Sequence, residues 1–181
     1  NIGSSYTNTG NRYDPLANTW QNITSVNAPI ERSHHAVVWT GTEMLIWGGV
    51  NGPNAYLNDG GRYNPISNSW TSMSTGAGTP VVRYPGSFAY VWTGTEFIVW
   101  GGFHYPSLVP TSTGARYNPT TNTWNTIAAP TSSQIARAVW TGTEMIIFCD
   151  DDKLLRYNPN TDTWTQTTRP FCSSAAISSL L

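Results

Sequence analysis

The sequence predicts an all-β fold of repeated four-stranded antiparallel units, a β-propeller. Three observations carry that prediction. A Trp-Thr-Gly-Thr-Glu motif is written three times, an Arg-Tyr-(Asp or Asn)-Pro motif is written four times, and the two alternate along all 181 residues. A repeated unit of this size cannot bury its apolar face alone and becomes stable only by stacking on its neighbours.

The first motif begins at Trp39, Trp92 and Trp140, and each copy sits between two short apolar runs. The preceding runs are Ala36 to Trp39, Ala89 to Trp92 and Ala138 to Trp140. The following runs are Met44 to Trp47, Phe97 to Trp100 and Met145 to Phe148. Near-continuous apolar runs of this length predict strands covered on both faces, and the glycine between them supplies the positive φ that a tight hairpin needs.

The second motif begins at Arg12, Arg62, Arg116 and Arg156 and reaches Trp20, Trp70, Trp124 and Trp164, always seven residues after its tyrosine. Asp or Asn before Pro starts a turn, because the short side chain accepts a backbone N–H while Pro presets φ. Asn18, Asn68, Asn122 and Asp162 are placed to take the left-handed conformation that completes it. The tyrosines lie 50, 54 and 40 residues apart, which gives two hairpins, hence four strands, per repeat. No stretch reads as a helix.

With the double glycines Gly48-Gly49 and Gly101-Gly102 closing the second strand, and Tyr and Trp following at their fixed spacing, the chain resembles kelch-repeat propellers of the bacterial and galactose-oxidase-like type over almost its whole length. The third repeat departs from the pattern, with Cys149-Asp150 in place of the glycine pair and a short connection before Arg156.

With strands named a to d from the hub outward, the chain is read as one propeller domain over residues 1–181. Its pieces are a c–d hairpin (1–24), three complete blades (34–74, 87–128 and 136–168) and the start of another strand a (173–181). Kelch rings habitually have six or seven blades, so the resemblance implies an incomplete ring. Three closures stay open: further blades in a longer chain, pairing with a second copy, or a four-bladed ring that uses both ends. An uncovered blade would expose unpaired strand edges, so something is expected to cover them.

Composition narrows the partners. Asp, Glu, Lys and Arg make up only 10% of residues against a usual quarter, and the net charge is −1, so no broad field draws in nucleic acid or an anionic membrane. No stretch approaches a membrane span, and nothing at Asn1 resembles a basic leader, so the chain is read as mature or as lacking its beginning. Lys153 is the sole lysine among many Ser, Thr, Asn and Gly, a balance that suggests an extracellular or cell-envelope location. Cys149 and Cys172 form one disulfide in an oxidising compartment or stay as two thiols. The sequon Asn22-Ile23-Thr24 permits glycosylation in a suitable secretory route.

The repeats differ from one another on one face only. The a–b and c–d turns emerge on the first face and are nearly uniform. The b–c loops (Val50 to Asp59, Phe103 to Thr113, Asp150 to Leu154) and d–a connections (Thr24 to Ser33, Ser72 to Ser87, Thr126 to Ile135) emerge on the second and vary in length and chemistry, as recognition loops do. Candidate ligand contacts there are Glu31, Arg32, His34, Asn54, Tyr56, Arg83, Tyr84, His104 and Tyr105, a set rich in Arg and Tyr. The kelch resemblance implies that Arg32 and Arg83, just before strand a, grip acidic peptides, and the rival role for both is bonding to backbone carbonyls between blades. Arg137 matches that position poorly. The arginines of the second motif and all nine tryptophans fall at repeated positions and read as structural.

No carboxylate pair, nucleophile elbow or phosphate loop stands at a meaningful spacing. Asp150-Asp151-Asp152 reads as a solvated turn in preference to a Ca²⁺ site, because three consecutive side chains converge poorly on one ion. No metal or cofactor is expected. The reading is a non-catalytic propeller that binds a protein, peptide or glycan. Its alternatives rest on fold analogy: the propeller of a copper oxidase, drawing on His34, His35, His104, Cys149 and Cys172, or of a sialic-acid mutarotase. A structural subunit of an extracellular assembly is a third reading.

Overall fold

The structure, a computed structural model, describes residues 6–133, 136–149 and 153–168. Every regular element among them is a strand. A hairpin of β1 (Gly10–Asp14) and β2 (Thr19–Ile23) comes first. Blade 1 follows as β3 (Ala36–Trp39), β4 (Met44–Trp47), β5 (Gly60–Asn64) and β6 (Ser69–Ser72). Blade 2 starts with β7 (Ala89–Trp92), β8 (Phe97–Trp100) and a short β9 (Phe103–His104), which folds onto the start of β10 (Val109–Asn118) before β11 (Thr123–Ser133). Blade 3 is β12 (Ala136–Trp140), β13 (Met145–Cys149), β14 (Lys153–Asn158) and β15 (Thr163–Thr168). Each blade is an antiparallel sheet in chain order, and among the described residues no strand pairing closes the ring.

Register explains why the repeat is aromatic. Cross-strand partners share a face, so Trp39, Met44, Tyr63 and Trp70 form one row across blade 1. Blade 2 repeats the row as Trp92, Phe97, Tyr117 and Trp124, and blade 3 as Trp140, Met145, Tyr157 and Trp164. Each row packs against the preceding blade. The blade 1–2 core joins Leu45, Trp47 and Phe88 to Phe97, Tyr117 and Trp124. The blade 2–3 core joins Ile98 and Trp100 to Met145, Ile147, Leu155 and Tyr157. Side chains this large stabilise by about 1.5–3 kcal/mol each when fully buried.

Two tryptophans expected in the core are instead exposed, Trp20 by 69% and Trp39 by 53%. Tyr13 and Trp20 belong to the outer half of a row whose preceding blade is not among the described residues. Trp39 lies at the hub end of the row that faces the β1–β2 hairpin, and two outer strands do not reach that far inward.

The uniform turns are held by a repeated set of polar bonds. Gly41, Gly94 and Gly142 carry φ near +100°, and Asn18, Asn68, Asn122 and Asp162 carry φ of 50–54°. Each of those four carboxyl or amide oxygens accepts the hydroxyl of its motif tyrosine at 2.6–2.8 Å. The motif arginines reach across blades: Arg12 donates to the Pro65 carbonyl, Arg62 to Pro119 at 2.5 Å and Arg116 to Pro159 at 2.6 Å. Three of them also pair with the glutamate of their own blade's a–b turn: Arg62 with Glu43 (3.0 Å), Arg116 with Glu96 (3.8 Å) and Arg156 with Glu144 (2.5 Å). Trp70 and Trp124 add indole bonds at 3.0 Å to the carbonyls of Thr24 and Ser74, where the preceding blade ends. The structural role expected of these arginines follows from these bonds.

In blade 3, β13 runs one residue further than β4 or β8, because Cys149 continues the ladder opposite Ala136 where a glycine pair ends it elsewhere. Cys149 is buried in the blade 2–3 core. Cys172 and Asp150-Asp151-Asp152 lie outside the described residues.

Candidate functional site

The individual loops of blades 1 and 2 meet in one place. In blade 1 the chain leaves β4 through Gly48 and Gly49, both at positive φ, and Val50 pairs with Ser33 by two backbone bonds of 2.9 and 3.0 Å. A Cβ on Gly49 would lie 2.5 Å from the Ser33 carbonyl, so only glycine lets the b–c loop lie this close to the d–a connection. The loop then closes on itself through Asn51 to Ala55 (3.1 Å) and Leu57 to Gly49 (2.9 Å), with Asn54 left-handed at its tip. Tyr56 is thereby fixed.

Blade 2 builds the facing wall. Tyr84 N–H donates to Phe103 (2.9 Å) and Tyr105 N–H to Val82 (3.3 Å), so β9 is tied to the segment that precedes β7. Ser87 Oγ binds the Tyr84 carbonyl at 2.7 Å and receives the Phe103 N–H at 3.1 Å. The Tyr105-Pro106 peptide is cis.

The result is a tyrosine ledge. Tyr56 lies 4.1 Å from Tyr105 and 5.7 Å from Tyr84 between ring centres, with the planes tilted by 46° and 38°. Beside it opens a cleft of about 500 Å³ lined by His34, Val50, Gly52, Pro53, Asn54, Tyr56, Tyr84 and Pro85. His34 is exposed, left-handed, and shares a 2.9 Å hydrogen bond through Nδ1 with Ser33 Oγ. Burial, with the neighbouring Tyr84 and Tyr105, raises the Tyr56 phenol above its usual value, so it is a neutral hydroxyl donor at physiological pH.

The structure therefore brings together His34, Asn54, Tyr56, Tyr84 and Tyr105 from the nine candidates. His104 stands behind them, in a bridge with Arg83 and bonded to Ser107 at 3.2 Å. Glu31 is exposed but does not line the cleft. Val50, Gly52, Pro53 and Pro85 complete the lining and were not singled out by sequence, although each lies in a loop that was.

Arg32 and Arg83 are placed differently from a ligand-gripping pair. Arg32 is 7% exposed and donates to the carbonyls of Ile30 (3.1 Å), Gly48 (3.0 Å) and Asp59 (3.1 Å). The Asp59 carboxylate lies 3.0 Å from Nη1, at a charge-pairing distance but without hydrogen-bond angles. Arg83 is 2% exposed and donates to the Thr113 carbonyl (3.1 Å) and hydroxyl (2.9 Å). Burial lowers its pKa to about 10, which leaves it charged at neutral pH. These bonds run within one blade, from the d–a connection to the ends of strands b and c, whereas the sequence suggested bonds between blades. Arg137 is exposed in β12 and reaches the Gly86 carbonyl at 2.8 Å.

Among the described residues no cluster of His, Cys, Asp and Glu is arranged to hold a metal ion. Among them, too, no helix is long and apolar enough to cross a membrane.

No curated protein sequence matches the chain at a significant level. A family model described as the KLHDC2/KLHL20/DRC7 Kelch-repeats domain matches residues 2–178, nearly the full length. Kelch-repeat propellers are typically protein-binding domains. With its motifs, its blade register and this match in agreement, the chain belongs to the kelch-repeat family.

Proposed function

We propose that the chain is a protein-binding propeller that recognises its partner through the cleft beside Tyr56, Tyr84 and Tyr105. The observation that carries this reading is their convergence: loops from two blades deliver three partly exposed tyrosines to one spot, although nothing in the core requires aromatic rings there. Tyrosine is enriched at binding hot spots because it offers a rigid apolar face and a polar tip at little entropic cost. The bonded loops around it are ordered in advance, which lowers the cost of association.

Selection of a random-peptide display library on the immobilised chain tests this. The selected peptides are expected to lose capture on the Tyr56→Ala/Tyr84→Ala variant while its urea midpoint shifts little. Peptides that bind both proteins equally would place recognition elsewhere.

A further inference from the structure

We infer that the tyrosine ledge takes an uncharged, proline-rich segment in the polyproline II conformation, an inference that rests on the binding role proposed for this cleft. Three features of the site select that ligand.

The first is charge. The cleft lining holds no carboxylate, lysine or arginine, and His34 is its only imidazole. The two arginines nearest in sequence, Arg32 and Arg83, are buried and bonded to carbonyls of their own blades. A strongly acidic or basic peptide therefore finds no counter-charge here, and losing its hydration on binding would go uncompensated.

The second is shape. A sugar ring stacks best on one broad aromatic face. Here the rings are tilted by 38° and 46° to their neighbours, so adjacent faces meet in shallow furrows. Furrows between tilted aromatic rings accept the compact, rigid pyrrolidine of proline, which is how aromatic-lined grooves read proline-rich segments. Pro53 and Pro85 extend the apolar wall at the side of Tyr56 and Tyr84.

The third is hydrogen bonding. A polyproline II segment has no internal hydrogen bonds and turns a row of bare carbonyl oxygens outward. The ledge offers phenolic hydroxyls as donors and Asn54 offers a side-chain amide at the exposed loop tip. The ligand is preformed as well, so little conformational entropy is lost on binding.

The test uses the purified chain and an array of peptides that spans all neutral Pro-X-X-Pro combinations, with acidic peptides and a panel of oligosaccharides as the other probes. The expected result is a subset of the Pro-X-X-Pro peptides that binds, weakens about tenfold or more when both prolines become alanine, and weakens similarly on Tyr105→Ala. Because Tyr105→Ala also alters a loop, Tyr105→Phe is read alongside: it keeps the furrow and should retain most of the affinity. If acidic peptides or oligosaccharides bind and lose affinity on Tyr56→Ala while the proline-rich array stays silent, the ligand class is overturned and the binding role of the cleft survives. If no probe loses affinity on Tyr56→Ala, both are overturned.

Discussion

The two loop faces of this propeller are built from the same kinds of residue and use them in opposite ways. On the uniform face Arg62 and Arg116 join neighbouring blades through proline carbonyls, and their glutamate partners recur in every blade. On the individual face Arg32 and Arg83 stay within their own blades and tie loop to strand, leaving the space between blades to tyrosines. Between blades 1 and 2 the interblade arginine bonds thus stand on the uniform face and the individual face is free to vary, whereas between blades 2 and 3 Arg137 also reaches the Gly86 carbonyl on the individual face.

Glycines separate the two faces most sharply. A methyl added at Gly94 would meet nothing within 4 Å, so glycine is needed there only for its φ of +102°. A Cβ on Gly49 or Gly102 would instead lie 2.5 Å from Ser33 or Ser87, in addition to the strain of a positive φ. Gly49→Ala should cost about 3 kcal/mol through overpacking on backbone. Gly94→Ala should cost about 1 kcal/mol through strain alone. Urea unfolding of both checks this, and equal losses would erase the distinction.

Next in size are the interblade arginines. Arg62→Met and Arg116→Met should each cost about 1–2 kcal/mol, the worth of a charge-assisted hydrogen bond to a carbonyl plus a partly exposed ion pair, and the two losses should be alike because the two interfaces are alike. A large disparity in their unfolding midpoints would mean that the uniform face is uniform in sequence only. On the other face, Tyr56→Ala and Tyr84→Ala should change stability by no more than about 1 kcal/mol while removing ligand capture.

The smallest effect concerns His35, just before β3. Burial first, then the Arg32 and His34 charges, lower its pKa from 6.5. The unfolded chain therefore binds more protons as pH falls below about 6.5, and the stability contributed by His35 is full above that pH and declines on acidification. Unfolding measured at several pH values should show a shallower acid decline for His35→Gln than for the native chain, and parallel curves would contradict it.

Most of the fold was legible in the sequence because its turns are locally encoded. Glycine at the a–b turn and Asn or Asp at the c–d turn announce positive φ, and positive φ is found at each. The structural role of the motif arginines was legible from their repetition. The direction in which Arg32 and Arg83 point was not, since it depends on how far each b–c loop folds back, through Asp59 and Thr113, which residue spacing does not specify. Tyr56, Tyr84 and Tyr105 were each identifiable as loop residues of the variable face. Their mutual contact was not, because the distance between loops of neighbouring blades is set by core packing between Trp47, Phe88 and Trp124.

The most direct test of the division between faces is ligand capture by two variants of matched stability, with peptides selected on the native chain. One variant alters the cleft (Tyr56→Ala/Tyr84→Ala) and the other places charge on the exposed uniform turns (Thr42→Lys/Thr95→Lys/Thr143→Lys). Capture lost by the first and kept by the second is the predicted result, and capture kept by the first and lost by the second would contradict the account.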